Sequence, residues 1–463
     1  MSSVMQGVRG AVVGARRVWR GLSWRRMERA LLVLFLVAKA LALYRRWGVQ
    51  MGHDAFFQME VTRMLGWKKL TLGLRDCFNC YQPPLGYLIP KLFALLGFNE
   101  VLSAQLASFT SSLVAFLLLR GAVQRMGLLR RPEGIVFLYV SSSIPIQLYL
   151  TTSITLDSFM YAWACAILYT SVVAFWRWGA PQRGRRVAMV ALVLLLASST
   201  LVKYSGFILF SIPVFVALLQ ARVRRGSMRS GGRWLAPSVR AVILGVTATA
   251  LVMPYYYQRY YTQTGKLFPI ASDWLRAEDV RKGRTMRDQH TAMFVRALLT
   301  PPDHADEHPD WADQKVCRLH DAWRHFWIRF HVTGWGGPTA FQLSKLYLAW
   351  MPWLLLAGAV YFVRRIRRRD AWNALGILVV LVGGLHVAGL IRHIWDNPFA
   401  EYIPAKAYYI SPVCWMLGYL MANLTRARGL APMILAVNWR NGRKVLVAVA
   451  GVFMFANHWV TIF

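Results

Sequence analysis

The sequence predicts an all-α polytopic membrane protein, a bundle of ~11 transmembrane helices with two short juxtamembrane helices in its first exoplasmic loop. Three observations predict it. The 463-residue chain is 56% hydrophobic and only 16% charged, against roughly 25% charged residues in a soluble globular chain. Apolar runs close to the ~20 residues that cross a bilayer recur along the whole length. The charges between those runs are sorted by sign in the alternating manner of membrane loops.

The net charge of +35 invites a nucleic-acid reading, and its distribution argues against one. Basic clusters at 1–29, 120–131, 177–186, 222–240, 364–369 and 426–444 hold 31 of the 55 Lys and Arg residues. Only three of the 20 acids, Glu28, Glu133 and Asp370, lie in or beside them. Lys and Arg concentrated in short loops next to span ends mark the cytoplasmic side, and some of these arginines are placed to meet anionic lipid headgroups. Membrane lipids are thus the expected partners, and nucleic acid is not.

Taken in order, the candidate spans are 30–46, 103–120, 134–150, 157–176, 187–202, 205–220, 240–258, 346–363, 372–390, 408–424 and 445–460. A twelfth apolar run, 84–98, reads as a surface helix, because counting it as a span puts Arg120 to Arg131 on the opposite side from the other basic clusters. The N-terminus is then cytoplasmic and the C-terminus exoplasmic. The apolar run after the Arg-rich start lacks a small-residue cleavage site and reads as a retained span. The organisation expected is a basic N-terminus (1–29), an N-terminal transmembrane module (30–258) with its first exoplasmic loop (47–102), a long exoplasmic loop (259–345) and C-terminal transmembrane helices (346–463).

The stretch from Gly52 to Gly97 is too polar to lie in lipid and too apolar to float in water. It reads as two short helices on a membrane surface joined by a loop. Asp54 opens it, either as a helix N-cap or as a general base towards a hydroxyl at the membrane surface; the two roles are compatible. Glu60 is a second acid six residues on, turned about 120° from Asp54 on a helix. Cys77 and Cys80 lie on the predicted exoplasmic side, where a local disulfide is plausible chemistry. Zinc would need two more ligands, haem attachment would need His where Tyr81 stands, and redox chemistry would need a thioredoxin-like fold. Gln82-Pro83-Pro84 starts the second helix, proline suiting its first turn.

Further polar groups break the apolar pattern. Lys203 sits in Lys-Tyr-Ser-Gly between two apolar runs, either snorkelling or facing a lipid phosphate. Asp303, His304, Asp306, Glu307, His308 and Asp310 have the composition of a metal site without its spacing, and read as solvated loop. Arg281, Lys282, Arg284 and Arg287 fit phosphate or neutralise the acids nearby. Arg392, His393, Glu401, Lys406, Tyr408 and Tyr409 fill the last exoplasmic segment, as functional groups or as a loop with aromatic interface anchors.

Laid out this way, the chain resembles the GT-C membrane glycosyltransferases, in particular the protein O-mannosyltransferase and lipid A aminoarabinose transferase group. The resemblance is carried by Asp54 after the first span, by Pro83-Pro84-Leu85-Gly86-Tyr87-Leu88 opening a juxtamembrane helix, and by Thr155-Leu156-Asp157 before the fourth span. It is carried also by Thr200-Leu201-Val202-Lys203-Tyr204-Ser205-Gly206 ending the fifth, and by Lys406-Ala407-Tyr408-Tyr409-Ile410-Ser411-Pro412. The chain departs from the group in having Ala55 where a second acid is common and Gln82 where His or Lys is common.

The resemblance implies transfer of a hexosyl or pentosyl unit from a polyprenyl- or dolichyl-phosphate sugar to an exoplasmic protein, lipid or glycan, with inversion. Asp54 would take the acceptor's proton, with Glu60 the second catalytic candidate. Lys203, Arg392 and Lys406 would stabilise the leaving lipid phosphate, and Tyr408, Tyr87, Gln82 and Asp157 complete the donor-site candidates. Some members of the group use a divalent metal near the phosphate, so a metal is the one cofactor left open. The membrane is the bacterial inner membrane or that of the endoplasmic reticulum. The competing readings are a lipid or sugar transporter or flippase, which would more often show internal repeats and broken helices in matching halves, and a non-catalytic membrane scaffold.

Overall fold

The protein is seen in a computed structural model that describes residues 23–50, 55–65, 72–74, 76–77, 80, 82–176, 182–224, 235–267, 338–396, 411–426, 447–448 and 451–452. Among the described residues the chain is helical throughout. The long helices are α1 (Trp24–Arg45), α4 (Glu100–Arg125), α7 (Leu156–Phe175), α8 (Gln182–Val202), α9 (Ser211–Arg224), α10 (Leu235–Tyr256), α11 (Pro338–Arg365), α12 (Ala371–Asp396) and α13 (Val413–Asn423). Between α1 and α4 lie two ten-residue helices, α2 (Ala55–Met64) and α3 (Leu85–Ala94). At about 1.5 Å per residue these are half the length a bilayer requires. A bent pair, α5 (Pro132–Ser143) and α6 (Pro145–Thr152), precedes α7.

By length and composition six described helices cross a membrane, or seven when the pair bent by 62° at α5–α6 counts as one span. The sequence expectation was ~11 spans; its last run, 445–460, lies mostly outside the described residues, as does the long loop 268–337. The eighth segment begins earlier than expected, at Pro338 rather than 346.

Local chemistry sets the boundaries. Ser23 caps α1 by accepting from Arg26 N (3.3 Å), and Asn99 caps α4 by accepting from Leu102 N (2.9 Å), each satisfying a first-turn amide that has no partner within its helix. Pro132 and Pro145 stand in the first turns of α5 and α6, where no backbone donor is lost. All twelve residues of α5 are buried, Glu133 and the three serines Ser141, Ser142 and Ser143 among them.

α7 lies at the centre, packed against α4, α8 and α9, while α13 is wedged between α5, α11 and α12. Trp372 stacks on Tyr419 (4.6 Å between ring centroids) and donates to Asn423 Oδ1 (2.8 Å); Trp415 donates to Tyr161 OH (3.1 Å). These bonds let large aromatic residues with polar atoms sit inside the bundle.

The two ends of the bundle differ. At one end Arg120 binds Glu28 (2.7 Å), Tyr139 OH donates to the Glu28 carbonyl (3.0 Å), and Tyr361 OH donates to the Arg426 carbonyl (3.0 Å). Described parts of five basic clusters lie at this end. The other end carries α2, α3 and the polar turns of the candidate site.

Candidate functional site

Two interruptions of helix meet at the second end. The first is the turn between α6 and α7. Thr155 is extended (φ −154°, ψ 142°) and its hydroxyl accepts from Asp157 N (3.3 Å), so it caps α7 and sets the acid in the first turn. The second is at the end of α8, where Lys203 is extended (φ −160°, ψ 147°) and the chain re-enters helix as a 3-10 segment, Tyr204–Phe210. Gly206 allows this: a Cβ there would stand 2.4 Å from the carbonyl carbon of Ser199. Tyr256 OH of α10 donates to the Thr200 carbonyl (2.7 Å), one of the groups the break leaves without a helical partner.

Across these interruptions Lys203 Nζ donates to both carboxylate oxygens of Asp157, at 2.8 and 3.1 Å, and Thr155 Oγ1 donates to Asp157 Oδ2 at 3.2 Å. The side chains are largely enclosed, 16% exposed for Lys203 and 6% for Asp157. A buried charge demands a partner, and here each supplies the other's.

α3 packs against the residue that precedes each member of this pair in the chain. A Cβ on Gly86 would meet Leu156 Cδ2 at 2.5 Å and Val202 Cγ1 at 3.4 Å, the neighbours of Asp157 and Lys203. Pro83-Pro84-Leu85-Gly86-Tyr87-Leu88 thus seats its glycine over the ion pair, with Tyr87 buried beside it. A small cavity with a free volume of about 10 Å³, room for on the order of one water, opens between Gln58, Thr62, Tyr87, Ser108, Thr155 and Phe159. Cys77 and Cys80 are joined in a disulfide, Cα–Cα 5.1 Å, just before α3. Arg259, in the five-residue π-helical turn that extends α10, donates to the Cys80 carbonyl (2.8 Å) and lies over the Tyr260 ring (5.5 Å).

On the other side of Asp157, α1 sends two buried cations to α6. Lys39 Nζ donates to Ser112 Oγ (3.0 Å), to the Gln147 carbonyl (3.4 Å) and to Thr151 Oγ1. Arg46 donates to Thr152 Oγ1 (2.8 Å). Ser108 Oγ donates to the Ser153 carbonyl (2.8 Å), and Ser158 Oγ donates to Ser108 Oγ (3.2 Å) and to the Thr155 carbonyl (2.6 Å). Polar contacts to Thr151, Thr152, Ser153 and Thr155, consecutive or nearly so in the chain, therefore lie between Lys39 and the Asp157–Lys203 pair.

Of the residues singled out in the sequence, the structure brings Asp157 and Lys203 together under the helix that carries Tyr87. Gln82 is half-buried where the disulfide loop meets α3. Glu60 is half-buried on α2. Arg392 is exposed at the end of α12, a helix that packs on the 3-10 segment after Lys203. Asp54, Lys406 and Tyr408 lie outside the described residues, as do the acid and His cluster 303–310 and the basic group 281–287. Ala55, next in the chain to Asp54, is buried with Met59, Ala104 and Ile154, three residues before Asp157. Sequence reasoning missed Lys39, Arg46 and Arg259. Lys39 had a signal, as the one charge in the apolar run from Ala30 to Tyr44. Arg259 had none, since it reads as the first residue of a loop. Among the described residues no three His, Cys, Asp or Glu side chains converge as metal ligands do.

No family model and no curated protein matches the sequence. Two solved structures are similar to it: ArnT from Cupriavidus metallidurans in the apo state (16% identity, TM-score 0.49) and the same protein bound to undecaprenyl phosphate (16% identity, TM-score 0.48). Each likeness covers 94% of this chain and 76% of that one.

Proposed function

We propose that the protein is a membrane glycosyltransferase that moves a sugar from a polyprenyl-phosphate donor to an acceptor at the end of the bundle carrying α2 and α3. The observation that supports it is the Asp157–Lys203 pair, set at a helix break beneath the Pro-Pro-Leu-Gly-Tyr helix. A cation held by a carboxylate at the edge of an apolar bundle suits a ligand that is a phosphate at one end and a hydrocarbon at the other. Undecaprenyl phosphate, bound in one of the ArnT structures, is a ligand of that kind.

In this reading the acceptor hydroxyl attacks the anomeric carbon as Asp54 takes its proton. The carbon–oxygen bond to the phosphate breaks on the opposite face, so the configuration inverts. The departing lipid phosphate gains charge, and Lys203 offers fixed N–H donors where that charge develops. Arg392, Lys406 and Tyr408 are the further donor-site groups, Gln82 and Tyr87 border the same helix, and Glu60 is the second acid of the first loop. The unit moved is a hexosyl or pentosyl group, and the membrane is one whose cytoplasmic face meets the basic clusters.

The test is transfer of radiolabelled sugar from polyprenyl-phosphate donors by full-length protein in lipid nanodiscs. Asp54→Asn is expected to lower the rate by about 10²–10⁴, with unchanged folding. Unchanged transfer in that variant overturns the base assignment. Absence of transfer by folded wild type from every hexosyl and pentosyl donor overturns the enzyme reading in favour of lipid binding or transport.

A further inference from the structure

Lys39 is the most enclosed cation among the described residues, 1% exposed. It lies six residues before the end of α1, as the one charge in the apolar run from Ala30 to Tyr44. An ammonium inside an apolar helix bundle is costly, and leucine or methionine would fill the space. Among the described residues its hydrogen-bond partners are neutral: Ser112 Oγ on α4 and the Gln147 carbonyl and Thr151 hydroxyl on α6, with the Phe35 ring 5.3 Å away. Among the described residues no counter-charge explains its place. What its three N–H donors do is tie α1 and α4 to one short helix.

That helix is a junction. α6 has only eight residues and is bent 62° from α5. Its C-terminal turn receives Lys39 and Arg46 at Thr151 and Thr152, and cations near the carbonyl end of a helix are favourable. Its other side reaches Ser411, whose carbonyl accepts from Gln147 Nε2 (3.4 Å), directly after the segment that holds Lys406 and Tyr408. From Thr152 the chain runs through Ser153 and Thr155 to Asp157 within five residues.

We infer that Lys39 is a positioning residue: it locks α6 so that Asp157, and through it Lys203, stands in the geometry that receives the donor phosphate. The inference rests on the transferase reading for its kinetic consequence and on the structure alone for its mechanical one, so the two are tested separately.

The experiment compares wild type with Lys39→Met, which keeps length without donors, and Lys39→Gln, which restores an N–H donor, all full-length in nanodiscs. Hydrogen–deuterium exchange is followed at 147–157 and, as an internal control, at 413–423 of α13. Lys39→Met is expected to speed exchange about tenfold at 147–157 and leave α13 unchanged, with Lys39→Gln in between. Transfer kinetics are expected to show donor KM raised about tenfold, more than kcat is lowered, because the phosphate pair and not the fraction of folded enzyme is disturbed. Uniformly faster exchange in both segments, or none in either, overturns the inference. So does a fall in kcat with donor KM unchanged. If wild type transfers no sugar, the transferase reading has failed, and the exchange pattern alone decides the role of Lys39.

Discussion

At the scale of single residues, the site depends on how charge is kept inside an apolar bundle. Asp157 and Lys203 neutralise each other, and Thr155 adds a hydroxyl to the carboxylate. Removing one member takes away the other's ion-pair partner inside the bundle, a change that costs about 3–5 kcal/mol in buried pairs. Asp157→Ala is therefore expected to lower the thermal midpoint sharply, measured by differential scanning fluorimetry in detergent. The double variant Asp157→Asn with Lys203→Met removes both charges and is expected to recover most of that loss while leaving sugar transfer absent. Recovery of transfer together with stability would show the pair to be scaffolding only. Half of this pair's meaning was readable in advance: both residues interrupt apolar runs and belong to the motifs quoted. That they bind each other was not readable, because 46 residues and a whole antiparallel helix pair separate them.

At the scale of elements, the breaks matter as much as the helices. The end of α8 folds back because residue 206 has no side chain, and alanine there meets backbone rather than a yielding side-chain tip. Gly206→Ala is expected to destabilise by about 1–3 kcal/mol and to move Lys203, seen as a lowered thermal midpoint and weakened donor binding. The Cys77–Cys80 disulfide closes a small ring, worth about 2 kcal/mol on chain-entropy arithmetic. Its loss in Cys77→Ser with Cys80→Ser is expected to act locally. Limited proteolysis should speed between residues 72 and 84 while the global midpoint holds, since Arg259 still binds the Cys80 position through its backbone carbonyl. A drop in the global midpoint would make the disulfide a part of the core instead. The short helices α2 and α3 were legible from composition. The π-helical turn at Tyr257–Tyr261, which aims Arg259 at the first loop, was not, because nothing in Tyr-Tyr-Tyr-Gln-Arg-Tyr-Tyr distinguishes a π-turn from continued helix.

At the scale of the whole molecule, the chain passes back and forth between a basic end and an end made of polar turns. The basic end is fastened by Arg120 with Glu28 and by Tyr139 on the Glu28 carbonyl. The positive-inside rule predicts that its arginines face the cytoplasm. An Arg130→Cys variant, at an exposed site, is expected to react with a membrane-impermeant maleimide only after the cell membrane is opened. Labelling in intact cells would invert the topology and move the candidate site to the cytoplasmic face. The variant is made in a Cys317→Ser background; Cys165 and Cys414 are buried, and Cys77 and Cys80 are bonded.

By itself the sequence determined the class of fold and the positions of most long apolar helices, and it singled out Asp157 and Lys203, which the structure brings together. These follow from local quantities: apolar run length, charge sign between runs, and proline or glycine at interruptions. Only the tertiary structure decided which groups share a place. It set Gly86 over Leu156 and Val202, paired Lys203 with Asp157, and turned Lys39 and Arg46 onto the last turn of α6. The physical reason is that a bilayer-spanning helix presents the same apolar pattern to lipid and to its neighbours. Hydropathy places it across the membrane, and the choice of partner comes from side-chain packing and hydrogen bonds between distant segments.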